Sequence, residues 1–190
     1  DINPGPDLGQ TTAAHLYEPI LASLVEGTGR IPIVLVAGAE AGSPLEHLTA
    51  QQLGLDDMTI GWHDARGLFA GSEKLARDPG QAFFAGRTLV NDRRIEAIVM
   101  QINSDDLVTT SLPFPWFDLL VLAGQNFTSM DPANGRSSEA VFADLLPTLL
   151  PACDGEILVL PKAMEIAEDL RATTGAVWRT GIAEEETAAI

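Results

Sequence analysis

The chain has 190 residues, 46% of them hydrophobic, and carries 27 acidic against 11 basic side chains for a formal net charge of −16. That apolar content suits one folded domain with a sizeable core and argues against a disordered chain. With no basic stripe to neutralise phosphates, nucleic acid is not an expected partner. No apolar run reaches the roughly 18 residues a spanning helix needs, so membrane insertion is not expected either.

Taken in chain order, residues 1–10 are rich in Pro, Gly and Asp and read as an extended lead-in. A helix is expected from Thr11 or Thr12 to about Glu26, with Leu16, Ile20, Leu24 and Val25 at helical spacing. Ile31 to Ala37 is the first strong strand, followed by a small-residue turn from Gly38 to Gly42. Ser43 and Pro44 then open a second helix to about Leu53. Met58 to Trp62 is a shorter strand, His63 to Gly71 a loop, and Ser72 to Arg77 a single helical turn. Gln81 to Asn91 reads as a helix leading into a strand from Ile95 to Ile102, and Asn103 to Pro115 as a loop.

The clearest signal comes next. Phe117 to Gly124 is an apolar strand, Ser137 to Leu150 an amphipathic helix, and Glu156 to Leu160 the following strand. This is a βαβ unit. With the alternation seen elsewhere it predicts an α/β fold: a single Rossmann-like domain over residues 11–181, with five to seven mostly parallel strands and helices on both faces. Lys162 to Thr173 reads as a further helix, Ala176 to Arg179 as a short strand or tail, and residues 182–190 as an acidic tail.

Function is harder to read, and absences are informative. The chain has no Gly-x-x-x-x-Gly-Lys-Ser/Thr loop, no His-Glu-x-x-His, no Cys-x-x-Cys and no Gly-x-Ser-x-Gly. Cys153 stands alone, so no disulfide forms within these residues, and it reads as a small apolar packing residue. The acidic pairs Asp56-Asp57 and Asp105-Asp106 read as solvated loops, and a metal site built from Asp64, Asp105 and Asp131 is not expected. Trp62, Trp116 and Phe117 are expected at strand ends, as rim packing or as pocket lining. The turn after the first strand is the best ligand candidate. Small residues there let a ligand approach the backbone, and the next helix offers free amides.

Two resemblances add to this reading. The turn Val36-Ala-Gly-Ala-Glu-Ala-Gly42, the segment Ile95 to Asp106, the strand Phe114-Pro-Trp-Phe-Asp-Leu-Leu-Val-Leu122 and the strand Asp154-Gly-Glu-Ile-Leu-Val-Leu160 resemble successive motifs of class I S-adenosylmethionine-dependent methyltransferases. The resemblance implies a nucleotide-type ligand, S-adenosylmethionine, held by Gly38, Glu40, Gly42, Asp64, Asp106 and Asn126, with Asp64 at the ribose. Glu40 replaces the family's central glycine and Val36 the acidic residue before it, which implies a member that has lost cofactor binding. The stretch Phe117 to Asn126 is also similar to a block of the SGNH hydrolases. That likeness implies Asn126 as oxyanion donor and Ser43 as nucleophile, with His47 the only candidate base.

Three functions follow as expectations. One is a methyltransferase-like domain binding a nucleotide-type ligand. Another is a non-catalytic subunit or protein-interaction module on the same fold. The third is an SGNH-like esterase. The partner is a small molecule or another protein, and the expected location is cytoplasmic.

Overall fold

The computed structural model describes residues 31–40, 58–76, 81–131, 133 and 135–164, together with the backbone of 178–180. Expectations for residues 1–30 and 41–57, for the helix beyond Met164 and for the acidic tail lie outside the described residues.

The protein is α/β, and its described residues form one eight-stranded sheet. The strands are β1 (Ile33–Ala37), β2 (Ile60–Asp64), β3 (Gly67–Ala70), β4 (Glu73–Ala76), β5 (Ala97–Ile102), β6 (Phe117–Leu122), β7 (Cys153–Val159) and β8 (Trp178–Thr180). The helices are α1 (Ala82–Asn91), α2 (Asp106–Thr110) and α3 (Ser138–Leu149). The strand order is β4-β3-β2-β5-β1-β6-β7-β8. β2, β5, β1, β6, β7 and β8 run parallel, and β3 and β4 extend the β2 edge as antiparallel strands. The four long apolar runs identified from the sequence therefore lie side by side. The second parallel strand sits outside the third, unlike the 3-2-1-4-5-6 order of doubly wound dinucleotide folds.

β1 is buried along its whole length, and its alternate residues feed two separate cores. Ile33, Leu35 and Ala37 pack with Leu89 of α1, Leu107 of α2 and Val141, Phe142, Leu145 and Leu149 of α3. Val34 and Val36 join Trp62, Val99, Leu119, Val121 and Leu158 on the opposite face. None of the three described helices contributes to that second core. Continuous apolar strands follow directly from burial on both faces. Among the described residues, no helix is long and apolar enough to cross a membrane.

Several local readings need correction. The expected loop from His63 to Gly71 and the expected helical turn from Ser72 to Arg77 together form a meander, β2-β3-β4. Its short strands lack a long apolar signature, and cross-strand contacts hold it instead. Trp62 stacks on its register partner Phe69 with ring centroids 3.7 Å apart. The Arg66 guanidinium lies over the Trp62 ring, and the indole N–H donates to the Gly71 carbonyl. Asp64 closes the first turn by accepting from the Arg66 backbone N–H and side chain. Among the described residues the sheet thus has eight strands, where five to seven were expected. The expected loop from Asn103 to Pro115 contains α2, and β7 begins earlier than Glu156, at Cys153. The Cys153 thiol donates to the Glu156 carbonyl, and burial pushes its pKa up to about 11.

Asp118 ties the central strands together. Its carboxylate accepts from the Ile33 N–H at 2.8 Å, where β1 enters the sheet beside β6. Gly86, in mid-helix, meets an equally specific demand. A Cβ there would lie 2.3 Å from the Pro113 ring and 3.0 Å from the Met100 sulfur. Glycine normally weakens a helix interior by about 0.8–1.0 kcal/mol relative to alanine. Here the close approach of α1 reverses the sign, and Gly86→Ala is expected to lower stability by about 1–3 kcal/mol through overpacking. Urea unfolding checks this: a rise in the midpoint would show that α1 does not depend on the contact.

Candidate functional site

The carboxyl ends of β1, β5 and β6 meet at a buried turn, and its backbone sets the local chemistry. Gly38 has φ +72°, and a Cβ there would fall 2.2 Å from the Gly124 carbonyl oxygen, so only glycine fits between the two strand ends. The Gly38 N–H donates to the Ile102 carbonyl, and the Gly38 carbonyl accepts from the Asn126 N–H. The Asn126 side-chain amide donates to that same carbonyl at 3.3 Å. One residue on, the Ala39 carbonyl accepts from Gln101 Nε2 at 3.3 Å and from Asn103 Nδ2 at 2.7 Å. Side chains thus bind the turn's carbonyls from both flanks.

These contacts revise the expected ligand set. Asn126, expected as a cofactor or oxyanion contact, donates its amide to the Gly38 carbonyl. Glu40 is exposed and forms a surface ion pair with Lys162 at 3.0 Å. Asp64, expected at a ribose, is engaged by Arg66 in the β2–β3 turn. Asp106 does something no local pattern announces. Its buried carboxylate accepts from the Ala82 N–H at 2.6 Å and from the Ser104 hydroxyl at 2.9 Å. Gln81 makes no side-chain cap bond of its own, so Asp106 caps α1 from 24 residues away. Gly42, Ser43 and His47 lie outside the described residues.

A cleft of about 300 Å³ opens beside the turn, at the carboxyl ends of β2 and β5. His63, Asp64, Gln101, Asn103, Ser104 and Asp106 line it, with Gln81 and Ala82 from the start of α1 and Thr128 and Met130 from the loop after β6. Of the expected set, the cleft gathers Asp64 and Asp106 but not Gly38, Glu40 or Asn126. Trp62, Trp116 and Phe117 are not among its lining residues; Phe117 is fully buried in the core.

Gln101 and Asn103 were missed as site residues. The signal was available for Gln101, a lone amide in the run Ala97-Ile-Val-Met-Gln-Ile102 whose every residue is buried. A polar group in such a strand must find partners. Half of each amide does so. The Gln101 Oε1 and Asn103 Oδ1 atoms are buried and have no hydrogen-bond partner among the described residues. Their orientation is forced, because the Ala39 carbonyl only accepts and so takes the NH₂ group of each.

The far wall is held by Asp105. Its carboxylate accepts from the Met130 N–H at 2.7 Å and the Ser129 hydroxyl at 2.8 Å, and faces Arg136 at 3.4 Å. Burial alone would raise its pKa, but these donors and the Arg136 charge outweigh burial and hold the carboxyl below the usual aspartate value. Among the described residues, no three His, Cys, Asp or Glu side chains gather as a metal site.

No protein-family model matches this chain, and no curated protein matches it in sequence.

Asp105 has a depressed folded pKa, so its contribution to stability is present above the unfolded value near about 3.9 and is lost as pH falls through the folded value. The Met130 amide resonance should therefore titrate only below about pH 4, with the loop at residues 128–131 loosening there. In Asp105→Asn that acid transition should vanish from the amide's NMR titration; an unchanged curve would assign it to another group.

Proposed function

We propose that this domain is a non-catalytic binding module for a small polar ligand, held in the cleft at the carboxyl ends of β2 and β5. One observation carries the reading: Gln101 and Asn103 line the cleft, and the amide oxygen of each is buried with no hydrogen-bond partner among the described residues. A buried acceptor left without a donor costs about 1–3 kcal/mol, and a ligand donor placed there removes that penalty. The position agrees with the general preference of open α/β sheets for ligands beyond the carboxyl ends of their strands.

The competing proposal is a methyltransferase-like site for S-adenosylmethionine at the Gly38 turn. It draws support from the order of sequence motifs. Against it stand the engagement of Asp64 by Arg66, the Asn126 bond to the Gly38 carbonyl, and the Glu40 carboxylate beside the position where the cofactor's own carboxylate would lie. The esterase proposal rests on Ser43 and His47, and its oxyanion donor, Asn126, is already bonded to that carbonyl.

Thermal-shift and calorimetric titrations separate the two binding readings. A panel of S-adenosylmethionine, S-adenosylhomocysteine, ATP, NAD and small polar fragments is titrated into the wild type, Gln101→Met and Glu40→Gly. At 100 times its dissociation constant a true ligand stabilises by about 2.7 kcal/mol. The module reading expects a fragment whose binding is lost in Gln101→Met and unchanged in Glu40→Gly. Binding of S-adenosylmethionine that tightens in Glu40→Gly would instead put the ligand at the Gly38 turn.

A further inference from the structure

Resting on the binding-module reading above, we infer that residues 128–131 form a strap that unbuckles from the end of β5 to admit the ligand to the cleft. The buried amide oxygens set the requirement. Gln101 Oε1 and Asn103 Oδ1 are enclosed, so a ligand reaches them only when a wall of the cleft moves. Two of the walls are built into the fold. His63 and Asp64 of β2 and Gln101 of β5 belong to the sheet ladder, and Ala82 at the start of α1 is tied to the buried Asp106 carboxylate. Thr128 and Met130 form the third wall, and they belong to no strand or helix of the fold.

The strap is fixed at both ends to α3. On one side Phe127 is buried and stacks on Phe142 with ring centroids 4.8 Å apart. The Phe127 N–H donates to the Ser138 hydroxyl, which in turn donates to the Phe127 carbonyl. On the other side Arg136 donates to the Ala140 carbonyl and to the Asp144 carboxylate. Between these anchors the strap is buckled to the end of β5 by two acceptors. The Asn103 carbonyl takes the Thr128 N–H at 2.8 Å and the Thr128 hydroxyl at 3.2 Å. The Asp105 carboxylate takes the Met130 N–H and the Ser129 hydroxyl, with Arg136 facing it at 3.4 Å.

Little apolar burial reinforces the buckle. Met130 is the strap's one large apolar side chain, and it is 57% exposed. A segment held by a few polar bonds and few buried apolar contacts opens at a fraction of the global unfolding free energy. Phe127 and Arg136 keep their places on α3, so release costs the buckle bonds and leaves the core intact. Release also begins at the site itself, because the Asn103 carbonyl holds the strap while the Asn103 side chain holds Ala39. Buckled, the cleft encloses about 300 Å³, the small end of ligand pockets, and losing one wall enlarges it.

The test is hydrogen exchange on the whole chain, followed by NMR, which needs no ligand. The Thr128 and Met130 backbone N–H groups and the side-chain NH₂ groups of Gln101 and Asn103 should exchange through one common opening. Val99 and Leu120, in the central strands, should exchange far more slowly. Asp105→Ala should speed the four strap and cleft groups by about tenfold or more, through loss of two charge-assisted bonds, and leave Val99 and Leu120 unchanged. Ser129→Ala removes one of those bonds; it should act on the same groups by a smaller factor and serves should Asp105→Ala fail to fold. Faster exchange at Thr128 and Met130 with unchanged Gln101 and Asn103 side chains overturns the inference. Side chains that exchange together with the Ala82 N–H and not with Met130 also overturn it, by moving the opening to α1. Equal acceleration of Val99 and Leu120 overturns it as well, since the buckle would then serve only global stability. Uncoupled exchange removes the strap alone, whereas a blank fragment panel removes the binding module and the strap's role with it.

Discussion

The local structure of the site depends on one constraint: the carbonyl groups just beyond β1 are carried into the interior and must be hydrogen-bonded there. β1 lies between two parallel neighbours with both faces covered, so its chain leaves the sheet still buried. Ala39 is 1% exposed. Water does not satisfy its carbonyl, and the ladder has already ended. The amides of Asn126, Gln101 and Asn103 supply the bonds instead, each from the carboxyl end of an adjacent strand. A backbone acceptor in a low-dielectric interior is costly to leave unpaired, which makes these three side chains part of the frame.

The same bonds give the cleft its polarity. An amide is a two-ended group, and fixing its NH₂ end fixes which end is left over. Two amides on one carbonyl leave two buried oxygens and the second N–H of each, on residues that line the cleft. Asp106 repeats the logic with a carboxylate: its cap on α1 anchors the helix start beside β5 and leaves a buried negative group in the wall. Structural roles and site chemistry are carried by the same atoms. Residues assigned to a cofactor by resemblance alone are occupied in ways that a motif does not disclose. Asp64 closes a turn, Asn126 binds a backbone carbonyl, and Glu40 pairs with Lys162 at the surface.

The β2–β3–β4 meander illustrates where local sequence signals weaken. Its strands are four or five residues long, and Glu73 and Lys74 of β4 are exposed. Nothing in Glu73-Lys-Leu-Ala76 distinguishes a strand from a helical turn until a partner strand is present. The partner is supplied by β3 across a register irregularity, and β3 is placed by the stacking of Phe69 on Trp62. Pairing energy in a sheet edge comes from cross-strand contacts more than from intrinsic propensity.

What the sequence by itself determined is the α/β class and the central parallel strands. Ile33–Ala37, Ala97–Ile102, Phe117–Leu122 and the apolar half of β7 are long runs whose burial on both faces is written in their composition, and Ser137 with the apolar spacing of Val141, Phe142, Leu145 and Leu149 marks α3. Hydrophobic burial is legible because it is a property of each segment. The strand order, the meander, the long-range cap from Asp106 and the orientation of Gln101 and Asn103 were decided only by the tertiary structure. Each depends on a hydrogen-bond or stacking partner distant along the chain, and a directional bond has no meaning until both ends are in place.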